Sequence, residues 1–128
     1  MSDAVGVGVD LVEVDRIEKM LAERGEHVFD RLLTPAEGDY CRGMARPAEH
    51  VAARLAAKEA VYKALQGTPE ARKIGWRDTE VVRGEGGKPD VTLSGRAAAR
   101  AREMGVTSVL LSLSHTHRTA IAMVVVSR

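Results

Sequence analysis

Four ionic side chains stand in a stretch that is otherwise almost wholly apolar. The segment Val51 to Gly67, VAARLAAKEAVYKALQG, carries Arg54, Lys58, Glu59 and Lys63 among six alanines, two valines and two leucines. Its Ala, Leu, Lys, Glu and Gln content, unbroken by Pro or Gly until Gly67, predicts one long helix with Gly67 as its C-cap. A helix apolar nearly all round is a buried helix. At about 100° per residue, Arg54 and Lys58 share one line and Glu59 and Lys63 another. Ionised groups on a buried helix need partners, because desolvation strongly disfavours them. Either Glu59 and Lys63 form an ordinary i,i+4 pair, worth about 0.2–0.5 kcal/mol, or these charges serve something the helix binds.

Three further places carry candidate chemistry. Val5 to Leu11, VGVGVDL, alternates strictly, with Val5, Val7, Val9 and Leu11 on one face and Gly6, Gly8 and Asp10 on the other. The valine face is expected to pack on the core, leaving the glycine face bare for close approach of a ligand or another backbone. Asp10 at the end of that strip is placed to hold a metal or face a ligand; equally, it can cap the following helix. Arg16, Met20 and Arg24 recur at i, i+4 and i+8, away from the Val14, Ile17 and Leu21 stripe. Such an exposed Met between arginines suits an acidic partner with a small apolar contact, although Glu23 and Glu26 fit a plain solvated face. His115 ends the apolar row Val109, Leu111 and Leu113, a position where a lone histidine is ordinarily structural.

The elements that must position these residues follow from caps and periodicity. A first helix runs from about Glu13 to Arg24 and stops at Gly25. Thr34, Pro35 and Glu37 form a capping box with Pro at N1, starting a short second helix that ends near Gly43. Pro47 opens the central helix, with Glu49 in its first turn. After a polar loop from Gly67 to Gly75, Thr79–Arg83 and Asp90–Leu93 form a hairpin whose glycine-rich tip carries Lys88. Ser94 caps a helix over Gly95–Met104 that ends at Gly105. Thr107–His115 and Thr119–Val126 form a last hairpin, turning at Thr116-His117-Arg118. The order is α+β: a mostly antiparallel sheet covered on one side by helices.

Composition narrows the function classes. The 128 residues are expected to form a single domain, 1–128. Phe29, Tyr40, Tyr62 and Trp76 are the only aromatic residues, so the core is aliphatic and base-stacking platforms for single-stranded nucleic acid are excluded. A net charge of +1 gives no global field for nucleic acid or an acidic membrane. One cysteine, Cys41, allows no intrachain disulfide and fits a reducing compartment. With no signal peptide or membrane-length apolar run, the expected location is cytoplasmic.

Taken together, three separated motifs resemble the holo-acyl-carrier-protein synthase family, the short group of 4′-phosphopantetheinyl transferases. They are Gly6-x-Gly8-x-Asp10 with Arg16-Ile17, Arg54-x-Ala56-Ala57-Lys58-Glu59-Ala60-x-x-Lys63-Ala64, and Ser112-Leu113-Ser114-His115-Thr116. Gly87-Lys88-Pro89 lies between the last two. The match runs nearly end to end, and the Ala-Ala-Lys-Glu-Ala-x-x-Lys-Ala run is its most specific part. The resemblance implies the family's fold, a homotrimer, and transfer of phosphopantetheine from coenzyme A to a serine of an acyl carrier protein, releasing adenosine 3′,5′-bisphosphate. It implies that Asp10 and Glu59 hold Mg²⁺, which takes one or two carboxylates plus phosphate and water, and that Lys63 neutralises the pyrophosphate. Arg54 and Lys58 are expected to contact phosphate or hold the helix in place. His115 is expected to meet a coenzyme A phosphate or accept a proton, Thr116 to bond a phosphate, and Lys88 to approach the adenosine end. Arg16 and Met20, with Arg24, correspond to the face that receives the acidic carrier, of fatty-acid or polyketide type. Leu55 departs from the family's usual aromatic, and His117 and Thr68–Ile74 lie outside the motifs. Two rivals use the same charges: a non-catalytic trimeric module binding acidic helical proteins, and another Mg²⁺-dependent phosphate-binding enzyme.

Overall fold

The computed structural model describes residues 3–128. The central helix, α4 (Pro47–Ala64), is the axis. Thirteen of its eighteen residues are buried, as expected for a segment apolar on every side. It lies across a three-stranded antiparallel sheet of β1 (Ala4–Glu13), β5 (Thr119–Ser127) and β4 (Ser108–His115), in the order β1-β5-β4. A separate antiparallel hairpin, β2 (Thr79–Arg83) and β3 (Pro89–Leu93), flanks it. Helices α1 (Val14–Arg24), α2 (Glu26–Leu32) and α3 (Pro35–Arg42) connect β1 to α4, and α5 (Gly95–Glu103) connects the two hairpins.

Most boundaries follow their local signals. The Thr34 capping box forms in both directions: Glu37 N–H donates to Thr34 Oγ1 at 3.3 Å and Thr34 N–H to Glu37 Oε1 at 2.9 Å. The central helix closes at Leu65, two residues before Gly67. Helix α2 was not expected. Gly25, at φ +52°, ends α1 and starts α2 at a single residue, so no loop composition separates the two helices.

The sheet faces the opposite way from the expectation at β1. Val7, Val9 and Leu11 are exposed, at 61%, 51% and 56%, and the glycine face meets the helix. A Cβ on Gly8 would fall on the carbonyl oxygen of Ala60 and 2.8 Å from its carbonyl carbon; one on Gly6 would meet the Ala64 carbonyl. The glycines are therefore bare so that the α4 backbone can approach, with Ala60 and Ala64 as its small counterparts. Gly8→Ala sets a side chain against two backbones that cannot move independently. We expect it to cost about 3 kcal/mol or more, at or beyond the upper end for overpacking, read as a lowered denaturant midpoint with unchanged slope.

The register extends the outward valine row across the sheet. Val9 lies opposite Met123 and Met123 opposite Ser112; Leu11 opposite Ile121; Val7 opposite Val125 and Val125 opposite Leu110. Leu110, Ile121 and Met123 are exposed with the β1 residues, which makes one apolar sheet face. On the covered face, Val124, Val126, Ala120 and Ala122 are fully buried under α4. Cys41 on α3 is also fully buried, and desolvation pushes its thiol up to about 11, against the lowering influence of Arg54.

Candidate functional site

Asp10 follows the glycine strip on the covered face of β1 and is half-buried. It does not cap α1, whose N-cap is Glu13 with no side-chain bond. Across from it, Lys63 on α4 reaches back over the sheet edge. Its Nζ donates to Asp10 Oδ1 at 3.1 Å and to the Val9 carbonyl at 3.0 Å. The local Glu59–Lys63 pair is thus replaced by a bond between residues 53 apart in sequence. Glu59 is left half-buried beside Asp10. Burial raises its carboxyl above the usual carboxylate range and the Asp10 charge raises it further, while Lys63 and Arg16 pull it down. Two carboxylates that repel each other at the edge of the core, with a lysine attached, are suited to a cation and an anionic ligand together. Arg16 is exposed on α1 within the field of Glu59, so the basic face of α1 borders this site.

Beside Glu59 opens a cavity of about 320 Å³ lined by Lys58, Glu59, Tyr62, Ile74, Gly75 and Trp76. Tyr62, Ile74 and Trp76 were not among the expected site residues; the one available signal was a lone tryptophan at the end of a polar loop.

Lys58 lines this cavity, but its donors are committed within the chain. It is 3% exposed and its three donors are taken: Glu37 Oε1 at 2.7 Å, the Trp76 carbonyl at 2.8 Å and the Thr79 carbonyl. Glu37 in turn accepts the Val81 N–H at 2.8 Å. Of the two roles expected for Lys58, holding the helix fits and phosphate contact does not. Burial pulls its ammonium below the usual lysine range, against the pull of Glu37.

A second cluster forms at the other end of α4. Arg54 is 6% exposed and stacks over Tyr40 with its Cζ 4.2 Å from the ring centre. Its Nη1 donates to the His50 carbonyl at 3.3 Å, whereas the buried Nε has no partner among the described residues. His50 meets His115 edge-on at 5.7 Å and Tyr40 likewise. Thr116 Oγ1 accepts the Arg118 and Thr119 N–H groups, both at 3.1 Å, leaving its own proton free to donate. Desolvation, then the Arg54 and His115 charges, hold His50 below its ordinary value of 6.5. The unfolded chain therefore binds this proton more readily than the folded one. His50 leaves stability at its full value above about 6.5 and lowers it as pH falls through that value toward the folded one. His50→Gln is expected to flatten the fall in melting temperature between pH 7 and pH 5.

The two clusters do not meet within one chain. Asp10 pairs with Ala122, which pairs with Leu113, two residues before His115. Two strand spacings and two residues of rise put the Asp10 and His115 backbones roughly 12 Å apart. Lys63 and His115, both expected at the reacting centre, are accordingly not in contact. Lys88, at the β2–β3 turn, lines a separate cavity of about 370 Å³ with Glu85, Asp90 and Ser108–Leu111. On α1, Arg16 and Arg24 are exposed, but Met20 is partly buried against the core and not the free contact expected. With Arg24, His27, Asp30 and Arg31, it lines an open groove between α1 and α2.

Residues 6–122 match the family model of the 4′-phosphopantetheinyl transferase superfamily. A holo-[acyl-carrier-protein] synthase of Geobacter sp. (strain M21) is 46% identical over 96% of this chain and 98% of its own. Holo-(acyl-carrier-protein) synthase from Bacillus anthracis, solved in complex with CoA (3′,5′-ADP), superposes with a TM-score of 0.77 at 36% identity, covering 97% of this chain and 96% of that one. The enzyme from Neisseria meningitidis superposes at 0.85 with 28% identity, over 98% of this chain and all of that one. With a helix motif that brings Glu59 and Lys63 to Asp10 of β1, the chain belongs to the holo-[acyl-carrier-protein] synthases of the 4′-phosphopantetheinyl transferase superfamily.

Proposed function

We propose that this protein transfers 4′-phosphopantetheine from coenzyme A to a serine of an apo acyl carrier protein, in a Mg²⁺-dependent reaction that releases adenosine 3′,5′-bisphosphate. The observation that carries this is the meeting of Asp10, Glu59 and Lys63 at the contact of β1 with α4. In the reaction the serine oxygen bonds to the β-phosphorus, the phosphorus–oxygen bond to the nucleotide breaks, and the serine proton leaves to a base. The chain must hold the pyrophosphate, neutralise its charge and align the attack.

The donor set fits Mg²⁺. Among the described residues no three of His, Cys, Asp and Glu converge as a metal cage, whereas Mg²⁺ needs one or two carboxylates and takes its remaining oxygens from phosphate and water. Asp10 and Glu59 would hold it, and when bound it supplies charge neutralisation at the pyrophosphate. Lys63, already at Asp10, adds positive charge at the same place. Arg54 and Thr116 are assigned to coenzyme A phosphate, His115 to such a phosphate or to the serine proton, and Lys88 to the adenosine end. The carrier docks on α1 through Arg16 and Arg24, with Met20 reached only from the groove it lines, and Arg16 borders Glu59.

The roughly 12 Å between the Asp10 and His115 ends and the exposed apolar sheet face favour a homotrimer. A contiguous exposed apolar patch of this kind marks an interaction surface, and a second copy packed there allows coenzyme A to lie between subunits, touching one cluster on each. Cyclic symmetry gives three equivalent sites. No helix among the described residues is long and apolar enough to cross a membrane, in keeping with a cytoplasmic place for the reaction.

Mass spectrometry of an apo carrier protein incubated with this protein, coenzyme A and Mg²⁺ tests the reading. We expect a phosphopantetheine adduct on the carrier serine, lost when Mg²⁺ is chelated, and light scattering at the mass of three chains. No adduct on either fatty-acid or polyketide carriers, with carrier binding retained, would leave a non-catalytic binding module.

A further inference from the structure

We propose that Glu49 is a positioning residue, which with His117 clamps the β4–β5 turn so that His115 and Thr116 are fixed over the first turns of α4. The proposal rests on the coenzyme A reading of His115 and Thr116 given above.

Glu49 belongs to the first turn of α4, and its side chain is only 8% exposed. Its Oε1 accepts from His117 Nδ1 at 2.7 Å, with His115 Nδ1 at 3.9 Å from the same oxygen. Its Oε2 is ion-paired with Arg46 Nε at 3.0 Å. One buried carboxylate thereby gathers both histidines of the turn and the residue before the helix. The His117 hydrogen bond holds the Glu49 carboxyl below its usual range, against the opposing effect of burial, with His117, Arg46 and His115 charges adding to the lowering.

The His117 ring is not placed by packing, since its side chain is 72% exposed. What holds it is this bond across 68 residues of sequence. The turn has other restraints: Thr116 N–H donates to the Thr119 carbonyl and Val14 N–H to the Arg118 carbonyl, at 2.9 and 2.8 Å, and Thr116 Oγ1 accepts the Arg118 and Thr119 N–H groups. All of these act within the turn or toward β1 and β5, and none reaches α4. The clamp through His117 restrains its tip against α4, where Arg54 and His50 lie. Without it, the tip must be ordered at the moment of binding, and affinity falls by the cost of ordering it.

Coenzyme A affinity by calorimetry, coenzyme A and carrier KM, and melting temperature are measured on the intact protein and on His117→Ala, Glu49→Ala, Glu49→Gln and His115→Ala. His117→Ala alters an exposed side chain and tests the clamp even where Glu49→Ala weakens the fold. We expect His117→Ala and Glu49→Ala each to weaken coenzyme A binding roughly three- to tenfold, the range for ordering one or two side chains on binding. Carrier KM should stay unchanged. The double variant should be no worse than either single one, and Glu49→Gln, which keeps an oxygen acceptor for His117, should retain most of the affinity. A fall in melting temperature in His117→Ala with unchanged coenzyme A affinity would overturn the clamp. So would loss of affinity in His115→Ala alone. If His115→Ala leaves coenzyme A affinity unchanged, the assignment of His115 itself fails, and the clamp with it.

Discussion

Glu59→Gln and Asp10→Ala are expected to lower phosphopantetheine transfer by on the order of 10²–10³, in line with the loss of a preorganised electrostatic group at a reacting phosphate. The informative part is what happens to the fold. Burial and the neighbouring Asp10 charge make the ionised Glu59 unfavourable in the folded chain. Glu59→Gln relieves that cost, so its melting temperature should equal or exceed that of the unaltered protein while its activity collapses. A side chain kept for packing behaves in the opposite way. Stability that rises as function falls is the signature of a site retained for chemistry. Transfer assays across a Mg²⁺ titration, with melts on the same samples, decide the matter; full activity of either variant at limiting Mg²⁺ removes the carboxylates from the metal site.

Lys58→Met should do the reverse. The Lys58–Glu37 pair is sealed, at 3% and 1% exposure, and Lys58 also bonds the Trp76 and Thr79 carbonyls. Removing one partner of a buried pair leaves the other charge unpaired and costs about 3–5 kcal/mol. Adding Glu37→Gln removes that charge and keeps an acceptor for the Thr34 or Val81 N–H, so the double variant should recover part of the loss. Denaturant midpoints of the three variants measure the coupling. A Lys58→Met protein of normal stability but raised coenzyme A KM would return Lys58 to the phosphate site.

The contrast between Lys58 and Lys63 marks the limit of what the chain discloses by itself. Both lysines stand on the same helix in the same motif, and periodicity placed that helix, its burial and its alanine face. Which lysine is sealed and which is free depends on Glu37 and Asp10, 21 and 53 residues away, and no local pattern carries those distances. Strand β1 shows a related limit. Its two-residue period was legible, but hydrophobicity alone assigned the valines inward. The close approach of the Ala60 backbone claims the glycine side instead, and the valines are left on the exposed face of the sheet. The Thr34 cap behaved better: Thr34, Pro35 and Glu37 act within four residues, and the box formed as read, whereas Ser94 precedes α5 without a side-chain cap bond. Helix α2 escaped because Gly25 turns the chain without a loop.

The burial of Cys41 has a bearing on the handling of a thiol-terminated donor. Coenzyme A carries a free thiol, and exchange between thiols and disulfides requires a thiolate with access to its target. The chain's one sulfhydryl is withdrawn from solvent and held protonated, with its thiol pushed up to about 11. Oxidised coenzyme A therefore finds no partner on this protein, and the chain passes its substrate's reactive end without entering mixed disulfides of its own.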